Sequence, residues 1–216
     1  MCDRDRPRNG DLPYDLGPGV IALLLSGGVD SVALAYWKRP DRAITIAYGQ
    51  RATGAEITAA GHVAKALGIA HDVLTVDCAA LGTGDMAGTA ALPDAPVPEW
   101  WPYRNQLLIT LAGMRAISLG ATELMIGSVL SDASHVDGTA PFYDCLDNLM
   151  AMQEGGLRVT APALALTSAE LVRRAGIGRD LLAWAHSCHS GSLACGDCRG
   201  CYKHQQVMEE LYGDAY

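Results

Sequence analysis

The stretch Val20-Ile21-Ala22-Leu23-Leu24-Leu25-Ser26-Gly27-Gly28-Val29-Asp30-Ser31 constrains this chain more than any other. Residues 20–25 are continuously apolar, the pattern of a strand buried in a parallel sheet. Small residues follow, and then an apolar helical pattern at Val32, Ala33, Leu34, Ala35 and Trp37. Strand, glycine turn and helix start together make an anion site. Gly27 and Gly28 let the backbone approach a ligand closely and take positive φ. The free N–H groups and positive end of the helix then face that ligand. Ser26 and Ser31 add hydroxyl donors for a phosphate. The Gly-Lys-Ser/Thr of a Walker loop is missing. The bland alternative is a strand-to-helix turn capped by Ser or Asp.

The rest of the chain repeats the strand–helix alternation. A strand at 20–25 and a helix at 30–38, ended by Pro40, precede a strand at 43–47. A helix at 54–67 with Gly68 as its stop leads to a strand at 71–76. This order predicts an α/β fold, a twisted parallel sheet with helices on both faces. Residues 77–103 read as a long loop, closed by Trp100-Trp101-Pro102-Tyr103-Arg104-Asn105. A helix at 104–118 and a strand at 123–127 follow. An irregular loop at 128–140 carries Ser131, Asp132, His135 and Asp137. A helix at 141–153 and a short strand at 157–161 come next. Thr167-Ser168-Ala169-Glu170 has capping-box spacing and opens another helix. A helical turn near 179–185 and a helix at 202–212 complete the chain.

At 216 residues, one α/β domain is the economical reading. The net charge of −8 argues against direct binding of nucleic acid, which calls for a basic face. No apolar run reaches the roughly 20 residues of a membrane span. Residues 1–19 are polar and Pro/Gly-rich, lack the apolar core of a signal peptide, and read as a loose lead-in. The expected location is cytoplasmic. The expected division is a lead-in at 1–19, a main domain at 20–185, and a C-terminal segment at 186–216. Of seven cysteines, Cys188, Cys195, Cys198 and Cys201 cluster in that last segment. Without a secretory signal they indicate a metal rather than a disulfide framework. Four thiolates from a short span suffice for a closed, structural tetrahedral zinc site. Free buried thiols and an iron–sulfur cluster are the alternatives. Cys2, Cys78 and Cys145 read as incidental.

The Ser26–Ser31 motif resembles the pyrophosphate-binding loop of the PP-loop ATP-pyrophosphatases, which cleave ATP between its α and β phosphates. The likeness extends through Tyr48-Gly49-Gln50-Arg51, Glu56, His71, Asp77, Arg104-Asn105, Ile126-Gly127, Ala161-Pro162, Leu166-Thr167 and the four cysteines. Over about residues 20–205 this order is similar to the 7-cyano-7-deazaguanine synthase family. The resemblance implies an adenine-nucleotide-alpha-hydrolase-like, Rossmann-like fold with a C-terminal zinc segment. It implies ATP, Mg²⁺ and Zn²⁺ as cofactors, and a deazapurine carboxylic acid and ammonia as reactants. A pyrophosphate cradle at Ser26, Gly27, Gly28, Asp30 and Ser31 is implied, with Tyr48, Gln50 and Arg51 beside the nucleotide. Asp30 and Arg104 are the expected catalytic pair, and Arg104, Asn105, Asp132 and Asp137 the expected substrate contacts. Arg51 and Arg104 suit phosphate or carboxylate, although either also reads as a surface or helix-capping arginine. Tyr48 fits an adenine pocket or the core. Trp100, Trp101 and Tyr103 fit base stacking or an aromatic patch that holds the loop down. A homodimer is a further expectation from the family.

Three departures from the family pattern stand near the inferred ligands. Ala52 replaces the usual His after Arg51, and Ser168 replaces the usual Lys after Thr167. The segment 128–137 also differs, and His135 in it reads as a base or as a plain exposed histidine. With Ser168 neutral, phosphate binding is expected to lean on Arg51, Arg104 or Arg173. A divergent activity is the corresponding alternative, joining a deazaguanine-type acid to a protein or nucleic-acid amine as an amide. A non-catalytic nucleotide-binding module is another. Thiolation of tRNA fits poorly with the acidic charge and the tight cysteine cluster.

Overall fold

The computed structural model describes residues 19–213. The expected lead-in lies outside them except for Gly19, and so does Cys2. The elements are β1 (Val20–Leu24), α1 (Val29–Lys38), β2 (Arg42–Ala47), α2 (Thr53–Leu67), β3 (Ala70–Thr75), α3 (Gly84–Ala87), α4 (Arg104–Ser118), β4 (Ala121–Ile126), α5 (Ala140–Ala151), β5 (Arg158–Thr160), α6 (Ser168–Ala175), α7 (Arg179–Leu182) and α8 (Arg199–Tyr212).

The five strands form one parallel sheet in the order β3-β2-β1-β4-β5. The chain winds from β1 to one edge and then returns to add β4 on the other side. A crevice opens where the winding direction switches, at the carboxyl ends of β1 and β4. Side chains alternate across the sheet. Leu23 and Leu25 point toward α1 and α2, where they pack with Leu34, Ala60 and Ala64. Ala22, Leu124 and Ile126 point the other way and pack with Ile109 and Ala112 of α4 and Leu146 of α5. A third apolar cluster joins Val32 and Ala33 of α1 to Leu171 and Val172 of α6, Leu182 of α7, and Val207 and Met208 of α8. The C-terminal helix is therefore seated on the main core through its apolar face.

Some expected boundaries shift. The loop at 77–103 contains a 3₁₀ turn at Ala79–Leu81 and the single-turn α3. The loop after β4 winds into two 3₁₀ turns, Leu130–Ser134 and Val136–Gly138. The last helix begins at Arg199 rather than 202, because Cys198 caps it by accepting from the Cys201 amide. Helix α6 starts as its capping box predicts, with Thr167 Oγ1 accepting from the Glu170 amide. No described helix is long and apolar enough to cross a membrane.

Candidate functional site

The glycine loop forms the floor of the crevice. Gly27 has φ +84, and a Cβ there would lie 2.7 Å from the Glu56 carbonyl oxygen. Only glycine lets the loop lie this close to α2. Gly28 caps α1 in extended geometry, and among the described residues no side-chain cap bond satisfies the helix's first amides. Those N–H groups and the helix dipole are thus left for a ligand. Ser26 Oγ and Ser31 Oγ lie 3.1 Å apart, and Ser31 Oγ donates to the Gly28 carbonyl at 3.0 Å. Gly127, at the end of β4, lets α1 approach closely, since a Cβ there would lie 3.0 Å from Ser31 Cα.

A cleft of about 300 Å³ opens above this loop. Its walls include Ser26, Gly28, Asp30 and Ser31 from the loop, Tyr48 from the turn after β2, Glu56 from α2, Met86 and Asp132 from the two long connections, and Arg104 and Asn105 from α4. His186, Ser187, His189, Gly200 and Lys203 close the remaining side. The expected residues Gly27, Gln50, Arg51 and Asp137 do not line it. Gly27 lies beneath the floor. Gln50 is buried and shapes the turn after β2, accepting from the Tyr48 amide at 2.8 Å and donating to Glu56 at 2.7 Å. Arg51 is exposed, and its aliphatic chain packs under Gly88. Asp137 sits in the second 3₁₀ turn. Trp101 is buried with its ring 5.1 Å from that of Tyr48, and Tyr103 is exposed. Trp101 therefore holds the long loop down, and neither ring faces the cleft. His135 Nε2 lies 2.9 Å from an Arg199 guanidinium nitrogen. The same arginine meets Glu99 at 3.0 Å and Ser134 at 2.8 Å, tying both long loops to α8.

Among the residues expected to supply cationic charge, only Arg104 reaches the cleft. It begins α4, donates to Met86 Sδ and meets Asn105 Oδ1 at 3.3 Å. Arg173 pairs with Glu210 on the surface at 2.9 Å. A cation that sequence reasoning missed is Lys203. Its Nζ lies 2.8 Å from Asp30 Oδ2 and 3.0 Å from Asp132 Oδ1. Ser168 touches the same Asp30 carboxylate from the start of α6. The positive side chain beside Asp30 thus comes from α8 and not from position 168. Nothing local in the sequence links Lys203 to Asp30; the only available signal was its place two residues after Cys201.

Burial raises the Asp30 carboxyl above the usual range, against the pull of Lys203. The Lys203 ammonium is in turn held above its ordinary value by Asp30 and Asp132, despite partial burial. Asp30 Oδ1 is buried and has no partner among the described residues. Burial likewise raises Glu56, and it pushes the Tyr48 hydroxyl up to about 12, keeping it a neutral hydrogen-bonding group. His189, whose Nδ1 is buried without a partner among the described residues, is held below its ordinary range by burial and by the Arg104 charge.

The four expected metal ligands come together. The sulfurs of Cys188, Cys195, Cys198 and Cys201 all lie within 4.8 Å of one another. Two of the separations are 3.9 and 4.0 Å. Tetrahedral ligation with Zn–S bonds of ~2.3 Å gives sulfur separations of about 3.8 Å. A four-iron cluster, with each thiolate on a different iron, would hold the sulfurs farther apart. The amides of Asp197 and Cys198 bring the Cys195 thiol down to about 6. Burial pushes the Cys201 thiol up to about 12, so a metal would have to displace that proton. The segment also grips the glycine loop directly, because the His186 amide donates to the Gly27 carbonyl at 2.8 Å.

Comparison with known proteins follows this geometry. The family model for queuosine biosynthesis protein QueC matches residues 20–212. A 7-cyano-7-deazaguanine synthase of Desulforudis audaxviator is 33% identical over 221 residues, covering 88% of this chain and 97% of the relative. The enzyme of the same name from Xanthomonas campestris pv. campestris is 33% identical over 203 residues, covering 83% and 88%. Among solved structures, the U34-tRNA thiolase NcsA of Methanococcus maripaludis, determined with its [4Fe-4S] cluster, aligns with a TM-score of 0.50 at 17% identity. It covers 91% of this chain and 67% of its own, a likeness of fold alone. With the loop, the cleft and the cysteine cluster in place, the match across nearly the whole described chain means that this protein belongs to the QueC family of queuosine biosynthesis.

Proposed function

We propose that this chain converts 7-carboxy-7-deazaguanine to 7-cyano-7-deazaguanine with ammonia and ATP. A carboxylate is a poor electrophile. Attack of its oxygen on the α-phosphorus of ATP gives an acyl adenylate and releases pyrophosphate. Ammonia then displaces AMP to give the amide. A second adenylation, on the amide oxygen, releases another pyrophosphate, and loss of AMP and a proton leaves the nitrile. The chain is asked mainly to position reactants and stabilise charge. The α1 amides, Ser26 and Ser31 would hold the leaving pyrophosphate, and Arg104 would face the substrate carboxylate. Asp30, with its bare buried oxygen, would hold Mg²⁺, which neutralises phosphate charge. Zn²⁺ on Cys188, Cys195, Cys198 and Cys201 would act structurally, since four thiolates leave no position for water.

The observation that carries this reading is the open α1 amide end facing a cleft with Arg104 on its wall, in a chain of this family. A second reading follows from Asp132, which is engaged by Lys203 and the Val129 amide rather than free for a deazapurine. In that reading the acid is adenylated and passed to another amine, on a protein or nucleic acid, stopping at the amide. Mass spectrometry of a reaction holding protein, MgATP, 7-carboxy-7-deazaguanine and ammonium separates the two. Nitrile with AMP is expected. Amide or adenylate with AMP would favour the second reading, and absence of AMP would overturn both.

A further inference from the structure

Helix α8 carries one charged side chain into the cleft. Lys203 is one of two full cations on the cleft walls among the described residues, the other being Arg104 on α4. Its ammonium lies over the glycine loop, 2.8 Å from Asp30 Oδ2 and 3.0 Å from Asp132 Oδ1. An ammonium has three N–H donors, and two are directed at these carboxylates. One donor remains for a ligand without breaking either pair. The second carboxylate oxygen of Asp30 is buried without a partner among the described residues. Two carboxylates against one ammonium leave a local charge of −1, so a bare polyphosphate would be repelled. A polyphosphate accompanied by a divalent cation would balance it: the cation meets Asp30 and a phosphate oxygen meets Lys203.

Resting on the ATP reading above, we propose that Lys203 grips the β- and γ-phosphates, the part of ATP that leaves as pyrophosphate. The residue's reach is set by the cysteine cluster. Cys198 caps α8 and Cys201 lies in its first turn, so the ligands that fix the metal also fix where Lys203 points. Gly200 allows this seating, because a Cβ there would lie 1.8 Å from the Ser187 carbonyl oxygen. The phosphate site is therefore assembled from both ends of the chain: the loop after β1 supplies amides and hydroxyls, and α8 supplies the charge.

The test is binding by isothermal titration calorimetry to the metal-loaded protein, with MgATP, magnesium pyrophosphate and AMP as separate probes. Lys203→Met is expected to weaken MgATP and magnesium pyrophosphate by at least about tenfold, the scale of a lost charge-assisted hydrogen bond. AMP, which lacks the β- and γ-phosphates, should change less than about twofold. Equal losses for all three probes would mean that Lys203 only supports the fold, and would overturn the proposal. Unchanged pyrophosphate affinity would also overturn it. Lys203→Gln removes the charge but keeps two N–H donors on a chain one atom shorter, and it decides by the same outcomes if the methionine variant loses its metal. Failure of the native protein to bind MgATP would overturn the ATP reading together with this assignment. Native binding that both variants retain would overturn the assignment alone.

Discussion

The two walls that meet over the phosphate end of the cleft are held in place by different physics. The glycine loop takes its shape from its own backbone: a positive φ at Gly27, an extended cap at Gly28, and a helix whose Val32 to Ala35 are fully buried. Its rigidity is that of the sheet and core beneath it. Opposite it, residues 186–198 have no helix or strand, and Leu193 stands exposed. What gathers that wall is the set of four converging thiols, with the His186–Gly27 bond as its tie to the floor. The first wall is folded by burial and needs no ligand. The second has little apolar surface to bury, and its four thiols could hold a cross-linking ion, the usual solution where a core is too small.

This contrast can be broken from either side. The largest expected effect is on chemistry: Ser26→Ala with Asp30→Ala should lower AMP formation at least ~100-fold, as loss of positioned transition-state contacts does. Circular dichroism should show the fold intact, because neither side chain is in the core; turnover within tenfold of native would refute the phosphate-loop assignment.

On the other wall, Cys198→Ala removes a ligand and the α8 cap together. Elemental analysis should find the metal lost, against close to one zinc per native chain. Thermal denaturation should show a loss of several kcal/mol, or about 10 °C in Tm for a chain of this size. A metal-free protein of native stability would mean that burial alone holds this wall. Acid should act in the same direction. Because Cys201 is pushed up to about 12 without metal, binding releases its proton, and zinc affinity should fall at least about tenfold for each pH unit lost between 8 and 6.

A smaller effect separates two adjacent glycines. Gly27→Ala forces a Cβ to within 2.7 Å of the Glu56 carbonyl at φ +84, and should cost about 2–3 kcal/mol in chemical denaturation. Gly28→Ala has its nearest neighbour at 3.6 Å and an ordinary φ of −73, so stability should change by less than about 1 kcal/mol. Its methyl would still stand on the cleft wall and weaken MgATP binding. Equal stability losses at the two positions would show that the loop is not shaped by its backbone.

At the start of α6, next to the Ser168 that touches Asp30, Thr167→Ala should cost about 1 kcal/mol by removing the helix cap. Loss of nucleotide affinity in that variant would show that α6 positions the Asp30 cluster more tightly than its cap energy suggests.

Legibility followed the range of the forces involved. The strand–loop–helix of residues 20–38, the helix at 104–118 and the capping box at Thr167 were readable because period, glycine and cap signals are local. The start of α8 was misplaced because its cap is a cysteine, which sequence rules do not count among capping residues. Sequence alone left open for both Arg51 and Arg104 whether each faces a ligand or the surface, since both follow the end of a strand or loop. Packing separated them: Arg51 lies outward under Gly88, and Arg104 lies inward as the first residue of α4. The aromatic run before α4 was ambiguous for the same reason, until burial placed Trp101 against Tyr48.

By itself the sequence determined the alternation of strands and helices, the glycine turn between strand and helix at Ser26–Ser31 and the four cysteines that converge. Each of these depends on neighbours a few residues apart. Only the tertiary structure decided which cation stands beside Asp30. Lys203 arrives there because Val207 and Met208 seat α8 on Leu171 and Val172 of α6, and because the cysteines fix its first turn. Contacts between opposite ends of a chain are set by how whole surfaces pack, and no local pattern records them.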